Sequence, residues 1–299
     1  MTCWSRKIFN RKNALITAAV TLIILAGSTF PLFAADPLFA NLEKRLIKDG
    51  LDVEFVRDIY RHSSVKLEPN IISVNLQWKE STVNYNQFLD KKTVAKAKAY
   101  IHKHREALDA ADKRFGVSPA IIVAILTVET RLGTFTGNYH TINVLSTMAV
   151  ADNLPVQKKI FASLLPENTD ADSLKQLMKR LNKRVDRGYR DLKALLLYIQ
   201  ENGNNPFAIK GSHEGAIGIP QFLPSNISQY GHDGNNDGMV DLFNHEDAIA
   251  TVASFLKMHH WNKTGTEEEK GEILFRYNRS SSYVDVIYAL CSRLKKNNS

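Results

Sequence analysis

Apolar residues recur at helical spacing through most of the chain, which predicts an α-helical protein. Two such sets occur near its start: Leu38, Leu42 and Leu46, then Val53, Val56 and Ile59. Because Asp49-Gly50 lies between them, we predict two short helices. Residues 63–83 mix Ser, Pro, Asn and β-branched residues, which predicts an extended or looped segment.

Longer amphipathic patterns follow in the middle and at the end of the chain. An apolar stripe predicts one helix from about Asp90 to Phe115, ended by Gly116. Residues 156–202 carry helical patterns that we expect to break at Pro166 and Gly188. Three further helices are predicted between glycine-rich loops, at about 246–261, 267–277 and 282–294. The predicted fold class is therefore mostly α.

The segment from Ser118 to Gly133 is apolar at almost every position, so we expect a buried helix. Ser118 is a suitable N-cap, Pro119 fits the first helical position, and Gly133 can end the helix in a left-handed conformation. Glu129 lies in the last turn, where burial and the helix dipole both favour the protonated acid. A general acid needs that form at neutral pH. The alternative is a Glu129 that is solvated at a rim or paired with a nearby Arg or Lys.

The first 35 residues combine a basic start with an apolar run, which predicts a secretory signal peptide. An uncleaved membrane anchor is the alternative, because Leu32-Phe33-Ala34 is an imperfect cleavage site. Only Cys3 and Cys291 occur, so a cleaved chain could form no intramolecular disulfide. No Cys stands at the end of the apolar run, where a lipid would be attached, which argues against a lipoprotein.

Composition and charge exclude few partners. Hydrophobic residues make up 44% and charged residues 23% of the chain, as in ordinary folded proteins. The formal net charge is +8, but four positive charges and no acid lie in the first 35 residues. Without that segment the net charge is 8 − 4 = +4. This positive charge is too small to indicate a nucleic-acid partner, and it only weakly favours an anionic partner such as cell wall.

Two segments carry groups suited to sugars. Between Gly211 and Ser225, closely spaced glycines predict tight turns, and Ser212 and Gln221 are neutral groups of the kind that hold sugar hydroxyls and acetamides. Tyr277 and Asn278 combine an aromatic ring with an amide. The alternatives are a purely structural turn in the first segment and a core Tyr with a capping Asn in the second.

The segment from Asp233 to Asn244 follows the calcium-loop pattern. Side-chain oxygen ligands fall at loop positions 1, 3, 5 and 9, glycine at 6, and the carbonyl of Met239 at 7. Position 12 is Asn244 where a bidentate Glu is expected, and we predict that Asp247 substitutes for it. An Asn/Asp/Gly turn without metal is the alternative.

Taken in order, these segments resemble the membrane-bound lytic murein transglycosylase B family, the glycoside hydrolase family 103 type. The resemblance covers about residues 38–294, including Tyr85–Leu89 and the helix end at His259–Trp261. It implies a mostly α fold: a lysozyme-like catalytic core with an additional helical portion and few short strands. The implied organisation is a signal peptide or N-terminal anchor (1–35), a helical N-terminal part (36–115) and the catalytic core (116–299). The core would contain a helical insertion at about 150–205 and the calcium-type loop 233–247.

The implied activity is cleavage of the β-1,4 bond between N-acetylmuramic acid (MurNAc) and N-acetylglucosamine (GlcNAc), with formation of 1,6-anhydro-MurNAc ends. Glu129 matches the family's single catalytic acid/base. The matching substrate-binding positions are Ser212, Gln221, Tyr277 and Asn278. The matching Ca²⁺ ligands are Asp233, Asn235, Asp237, Met239 and Asp247, and the ion is expected to be structural. A muramidase on the same fold and a non-catalytic, calcium-dependent wall-binding module are the competing hypotheses.

The expected partners are peptidoglycan glycan strands and, as a second class, wall-synthesis proteins, but not nucleic acid. The expected location is the periplasm, with a membrane contact only through a retained signal, and the expected state is a monomer. Three departures from the family pattern stand out. Phe255 replaces a usual Tyr, so a hydroxyl near the active site is expected to be missing; His260 replaces a usual Gly at the surface; and the stretch from Thr147 to Gly211 is longer than usual.

Overall fold

The computed structural model describes residues 36–77, 83–164, 169–263 and 265–295. Within these ranges the chain forms helices α1–α13 and two short strands, which confirms the mostly α fold class. The predicted signal segment, residues 1–35, lies outside the described residues. The helices are α1 Ala40–Lys48, α2 Val53–Arg61, α3 Pro69–Gln77, α4 Lys91–Lys103, α5 Arg105–Phe115, α6 Pro119–Thr130, α7 Thr141–Ala149, α8 Leu154–Ala162, α9 Ala171–Asn202, α10 Ile227–Tyr230, α11 His245–Met258, α12 Glu267–Tyr277 and α13 Ser281–Lys295.

The N-terminal helices confirm one expectation and correct another. α1 and α2 are separate, and Gly50 between them has φ +98°, a conformation that glycine adopts easily. The prediction of a looped segment over 63–83 was wrong for its central part, because α3 is a helix. Pro69 occupies its first position, and the buried Ile72 and Leu76 supply tertiary packing that outweighs the weak helix propensity of β-branched residues.

The long helix predicted from Asp90 to Phe115 is two helices, α4 and α5, separated by His104. His104 leaves helical geometry at φ −108° and ψ 30°, and its ring packs 4.2 Å from Tyr100 and 4.7 Å from His245 between centroids. This break lets α4 pack against α6 while α5 packs mainly against α11. Gly116, with φ +70°, ends α5 as predicted.

The predicted break at Gly188 does not occur, because α9 runs through it for 32 residues. A Cβ atom at Gly188 would lie 2.4 Å from Cβ of Met148, so this glycine allows α7 and α9 to pack closely instead of ending a helix. Pro166, the other predicted break, lies outside the described residues. Although α9 is long, none of the helices in the described ranges combines the length and hydropathy of a membrane span.

The two strands form a small antiparallel pair, β1 Tyr139–His140 with β2 Lys210–Gly211, in which Tyr139 pairs with Gly211. Isolated bridges extend it from Gly211 to Ile217 and from Ile217 to Phe222. The segment 211–222 therefore reverses direction twice beside β1. The expectation of few short strands is confirmed.

α6 lies at the centre of the hydrophobic core. Every residue from Ala120 to Thr127 is buried, as the uniformly apolar pattern predicted. α6 packs against α4, α5, α11 and α13, so its C-terminal end is held from several sides. At the surface, His260 is exposed and has φ +68°, which explains why glycine suits this position.

Candidate active site

The C-terminal end of α6 positions Glu129. Pro119 begins the helix as predicted, but Ser118 forms no capping hydrogen bond with its side chain, contrary to expectation. Nor does Gly133 alone end the helix, because Arg131 and Leu132 already have φ of 51° and 61° before Gly133 at 82°. Three successive left-handed residues turn the chain sharply and leave Glu129 in the last helical turn, partly buried.

Thr130 connects this helix end to the glycine-rich segment. Its hydroxyl donates to the carbonyl of Ile219 at 2.8 Å and accepts from the amide of Gly133 at 2.9 Å. The amide of Ile219 in turn donates to the carbonyl of Leu242 at 2.8 Å. Three segments that are distant in sequence, namely the end of α6, residues 211–222 and the calcium-type loop, therefore meet at one place.

Glu129 is hydrogen bonded to a residue to which the sequence analysis gave no role. The hydroxyl of Tyr283 in α13 donates to Glu129 Oε1 at 2.7 Å. Tyr283 is completely buried, and burial together with the charge of Glu129 raises its pKa well above the ordinary value. The phenol therefore remains a donor over the whole range of physiological pH.

Tyr277 lies beside this pair. Its ring stacks on that of Tyr283 with centroids 6.4 Å apart, and its hydroxyl donates to the carbonyl of Pro220 at 2.6 Å. Burial, and then the charge of Glu129, raise the pKa of Tyr277 well above its ordinary value. The residue that follows, Asn278, is the C-cap of α12, and its side chain forms no hydrogen bond within the described ranges. The structure thus brings Tyr277 to Glu129 and leaves the Asn278 amide available.

Ser212 and Gln221 take part in the turns of their own segment. The hydroxyl of Ser212 accepts from the amides of Glu214 at 3.3 Å and Ala216 at 3.1 Å. Gln221 has φ 51°, and its Nε2 donates to the carbonyls of Thr136 and Gly218, both at 2.9 Å. These bonds give both side chains a structural role in the turns, while Gln221 Oε1 has no hydrogen bond to the part of the chain that the structure describes.

Asp247 lies where the sequence predicts a substitute ligand. It is completely buried, and its carboxylate accepts from the amides of Gly234 at 2.9 Å and Asp241 at 2.7 Å. Burial raises the pKa of Asp247, and the negative charge of Asp233 adds to this effect. Asn244, at loop position 12, accepts from the amide of Glu246 at 2.7 Å and so caps α11.

The other predicted ligands bond to backbone amides of their loop. Asn235 Oδ1 accepts from the amide of Asp237 at 3.0 Å, and Asp237 Oδ1 accepts from the amide of Met239 at 2.9 Å. In the described ranges no three His, Cys, Asp or Glu side chains converge as a metal site. The donor set is nevertheless one of hard oxygens, three carboxylates with an amide and a carbonyl, and it fits Ca²⁺ in its chemistry.

The sequence matches one known protein family over most of its length. Residues 34–270 match the family described as Transglycosylase SLT domain. The membrane-bound lytic murein transglycosylase B of Escherichia coli K12 is 29% identical over 177 residues, which cover 59% of this chain and 41% of that relative. The chain therefore matches less than half the length of this curated relative.

Solved structures show the same fold. The E. coli lytic transglycosylase Slt35 in complex with bulgecin A has a TM-score of 0.69 and 20% identity, covering 88% of this chain and 95% of that chain. The soluble lytic transglycosylase SltB1 from Pseudomonas aeruginosa has a TM-score of 0.69 and 23% identity, covering 87% and 99%. These likenesses confirm the lysozyme-like fold class. Because the family match spans most of the sequence, the chain belongs to the transglycosylase SLT domain family.

Proposed function

We propose that the protein is a lytic transglycosylase that cleaves the MurNAc-GlcNAc β-1,4 bond of peptidoglycan and leaves 1,6-anhydro-MurNAc ends. One observation carries the proposal: the carboxyl of Glu129 at the end of a buried helix accepts a hydrogen bond from Tyr283, beside Tyr277. Membership of the transglycosylase SLT domain family supports the same activity.

In the first step Glu129 acts as general acid. Its proton passes to the glycosidic oxygen while the bond from that oxygen to C1 of MurNAc breaks, and the electron pair stays with the GlcNAc oxygen. The muramoyl acetamide supports the oxocarbenium-like centre at C1. Glu129 is now a carboxylate, the form that best accepts the Tyr283 hydrogen bond.

In the second step Glu129 acts as general base. It takes the proton of the C6 hydroxyl, and O6 bonds to C1 to close the anhydro ring. No water is consumed, and Glu129 ends protonated for the next cycle. A second carboxylate, which most glycosidases need, is unnecessary because the nucleophile belongs to the substrate and profits from proximity.

Ser212, Gln221, Tyr277 and Asn278 are proposed to hold the muramic acid. Gln221 Oε1 is suited to accept from a sugar hydroxyl or an acetamide N–H, and the Asn278 amide can bond to the acetamide. The anchoring of Gln221 by Thr136 and Gly218 supports this role, because a fixed amide loses little entropy on binding.

Calcium is proposed as a structural ion of the loop 233–247. Asp233, Asn235, Asp237, the Met239 carbonyl and Asp247 would hold it, and when bound it would balance the charge of the carboxylates. One of the solved structures of similar fold is Slt35 in complex with calcium, with a TM-score of 0.70. The contact between Ile219 and Leu242 would transmit the stiffness of this loop to the active site.

The remaining parts of the proposal concern location and organisation. Peptidoglycan as the partner is supported by structures of P. aeruginosa SltB3 in complex with NAG-anhNAM-pentapeptide and NAG-NAM-pentapeptide. We also propose export to the periplasm through residues 1–35, a monomeric state, contacts with wall-synthesis proteins, and the division at residues 115–116 into a helical part and a catalytic core.

The test is digestion of purified sacculi, with product masses determined for the wild type and Glu129→Gln. We expect anhydro-ended muropeptides from the wild type and none from the variant, whose melting temperature should match. Reducing ends would show a muramidase instead, and sacculus binding without release of fragments would show a binding module. Substantial turnover by Glu129→Gln would refute the role of Glu129.

A further inference from the structure

A surface groove of about 840 Å³ lies at the turn between α12 and α13. It is distinct from the Glu129 carboxyl, which is not among its lining residues. Charged and aromatic side chains dominate its walls: His259, Glu272, Phe275, Arg276, Arg279 and Asp285. The mechanism proposed above uses none of them.

This groove shares a wall with the candidate active site. Arg276 directly precedes Tyr277 in the last turn of α12, and Arg279 directly follows Asn278. The His259 ring lies 4.3 Å from Phe255, whose ring lies 5.0 Å from Tyr277. The groove therefore begins at the residues that directly flank Tyr277 and Asn278.

The groove combines three kinds of recognition. Arg276 and Arg279 are exposed, and neither forms an ion pair with the described residues. Glu272 and Asp285 are acidic, and Phe275 is apolar. The acidic pair would repel a purely anionic ligand, and a neutral sugar would use neither charge. A short peptide with several carboxylates, an amino group and small apolar side chains uses all three.

We propose that this groove binds the peptide stem of the peptidoglycan strand. Arg276 and Arg279 bind stem carboxylates, Glu272 and Asp285 face the ammonium group of its diamino acid, and Phe275 packs on its methyl groups. This inference rests on the proposed function, because the stem is attached to the muramic acid placed at Tyr277 and Asn278. It adds a substrate preference: strands that carry stems are cleaved faster than stripped strands.

The experiment compares two substrates, glycan strands with their stems and the same strands stripped by an amidase. The readout is the ratio of the two kcat/KM values. We expect the wild type to prefer the strands with stems, and Arg276→Ala combined with Arg279→Ala to lower the ratio about tenfold, as for lost charge-assisted bonds at a partly exposed site. Arg190→Ala is the matched control, because Arg190 is exposed on α9 and its side chain forms no hydrogen bond or ion pair with the described residues.

A second measurement separates this inference from the proposed function. Calorimetry with a soluble stem tetrapeptide tests binding without any cleavage. If the double variant binds the peptide more weakly than the wild type, the groove is the peptide site. If, in addition, the wild type cleaves neither substrate, the transglycosylase activity is refuted but the peptide site is not. An unchanged ratio, or equal peptide affinity of the double variant and wild type, would overturn the inference while leaving the activity in place.

Discussion

Replacing Tyr283 by phenylalanine removes one hydroxyl and leaves the ring in place. That hydroxyl lies 2.7 Å from Glu129 Oε1, and Tyr283 is completely buried. Water therefore has little room to replace the lost donor. We expect the variant to fold normally, because the ring still stacks on Tyr277, and to lose transition-state stabilisation, because Glu129 becomes a carboxylate during the reaction.

The magnitude follows from the nature of the bond. Hydrogen bonds to charged groups contribute about 1.5–3 kcal/mol, and a short, buried one belongs in that range. A loss of about 2 kcal/mol corresponds to a reduction of about thirtyfold in kcat/KM. Because the substrate does not bond to Tyr283 directly in the proposed mechanism, most of the effect should appear in kcat.

The assay is release of anhydro-muropeptides from sacculi. Tyr288→Phe is a matched control on the same helix, since the Tyr288 hydroxyl also donates at 2.7 Å, but to the carbonyl of Glu267. The control should retain wild-type kcat. If Tyr283→Phe stays within a factor of about three of the wild type while Glu129→Gln is inactive, the hydrogen bond does not stabilise the Glu129 carboxylate in the transition state and the reasoning is wrong.

Three further predictions concern stability. Gly188→Ala should lower the urea midpoint, because a Cβ atom 2.4 Å from Met148 Cβ and 3.0 Å from the Ala149 backbone nitrogen is a severe overlap. Its cost lies at the upper end of about 1–3 kcal/mol and exceeds the helix-propensity gain of about 1 kcal/mol, so a higher midpoint would contradict this. Burial lowers the pKa of His104 from 6.5 to about 4, so its contribution to stability is present above pH 6.5 and is lost as the pH falls toward 4. His104→Phe keeps the ring packing and should reduce the fall in melting temperature between about pH 7.5 and pH 5. If the melting temperature of the variant falls as much as that of the wild type, protonation of the buried His104 is not what destabilises the protein in acid. Added Ca²⁺ should raise the melting temperature and chelator should reverse it, but neither should act on Asp247→Asn; a wild type that responds to neither has no calcium site.

The helices could mostly be predicted from apolar spacing, because one buried face fixes a helix whatever its partner. The errors arose where a distant contact decides the outcome. α3 contains β-branched residues of weak helix propensity, and its packing against α7 and α8 compensates. Gly188 is a helix breaker by composition, and only the position of Met148, 40 residues earlier, makes it a packing residue.

The candidate site divides in the same way. Glu129 could be identified from sequence because a carboxylate in an apolar helix is chemically conspicuous, and Tyr277 because it stands beside an amide. Tyr283 could not, because it recurs with Ile287 and Leu290 on the buried face of α13 and is indistinguishable from a core residue. The anchor from Thr130 to Ile219 joins residues 89 apart, and no local pattern specifies it.

The family resemblance leads us to expect a Tyr at position 255, and the Phe255 that this chain has there packs against Tyr277 of the candidate site. Phe255 is 6% exposed, and its ring lies 4.9 Å from Tyr230 and 5.0 Å from Tyr277. A hydroxyl in this aromatic cluster would need its own partner, while that of Tyr277 is already bonded to Pro220. Phenylalanine therefore fills the cluster without a buried unsatisfied polar atom and keeps Tyr277 in edge-on contact. Phe255 contacts Tyr277, and Tyr277 stacks on Tyr283, the residue that donates to Glu129. The packing of Phe255 therefore helps to hold Tyr283 in place, through ring contacts and without a hydrogen bond of its own.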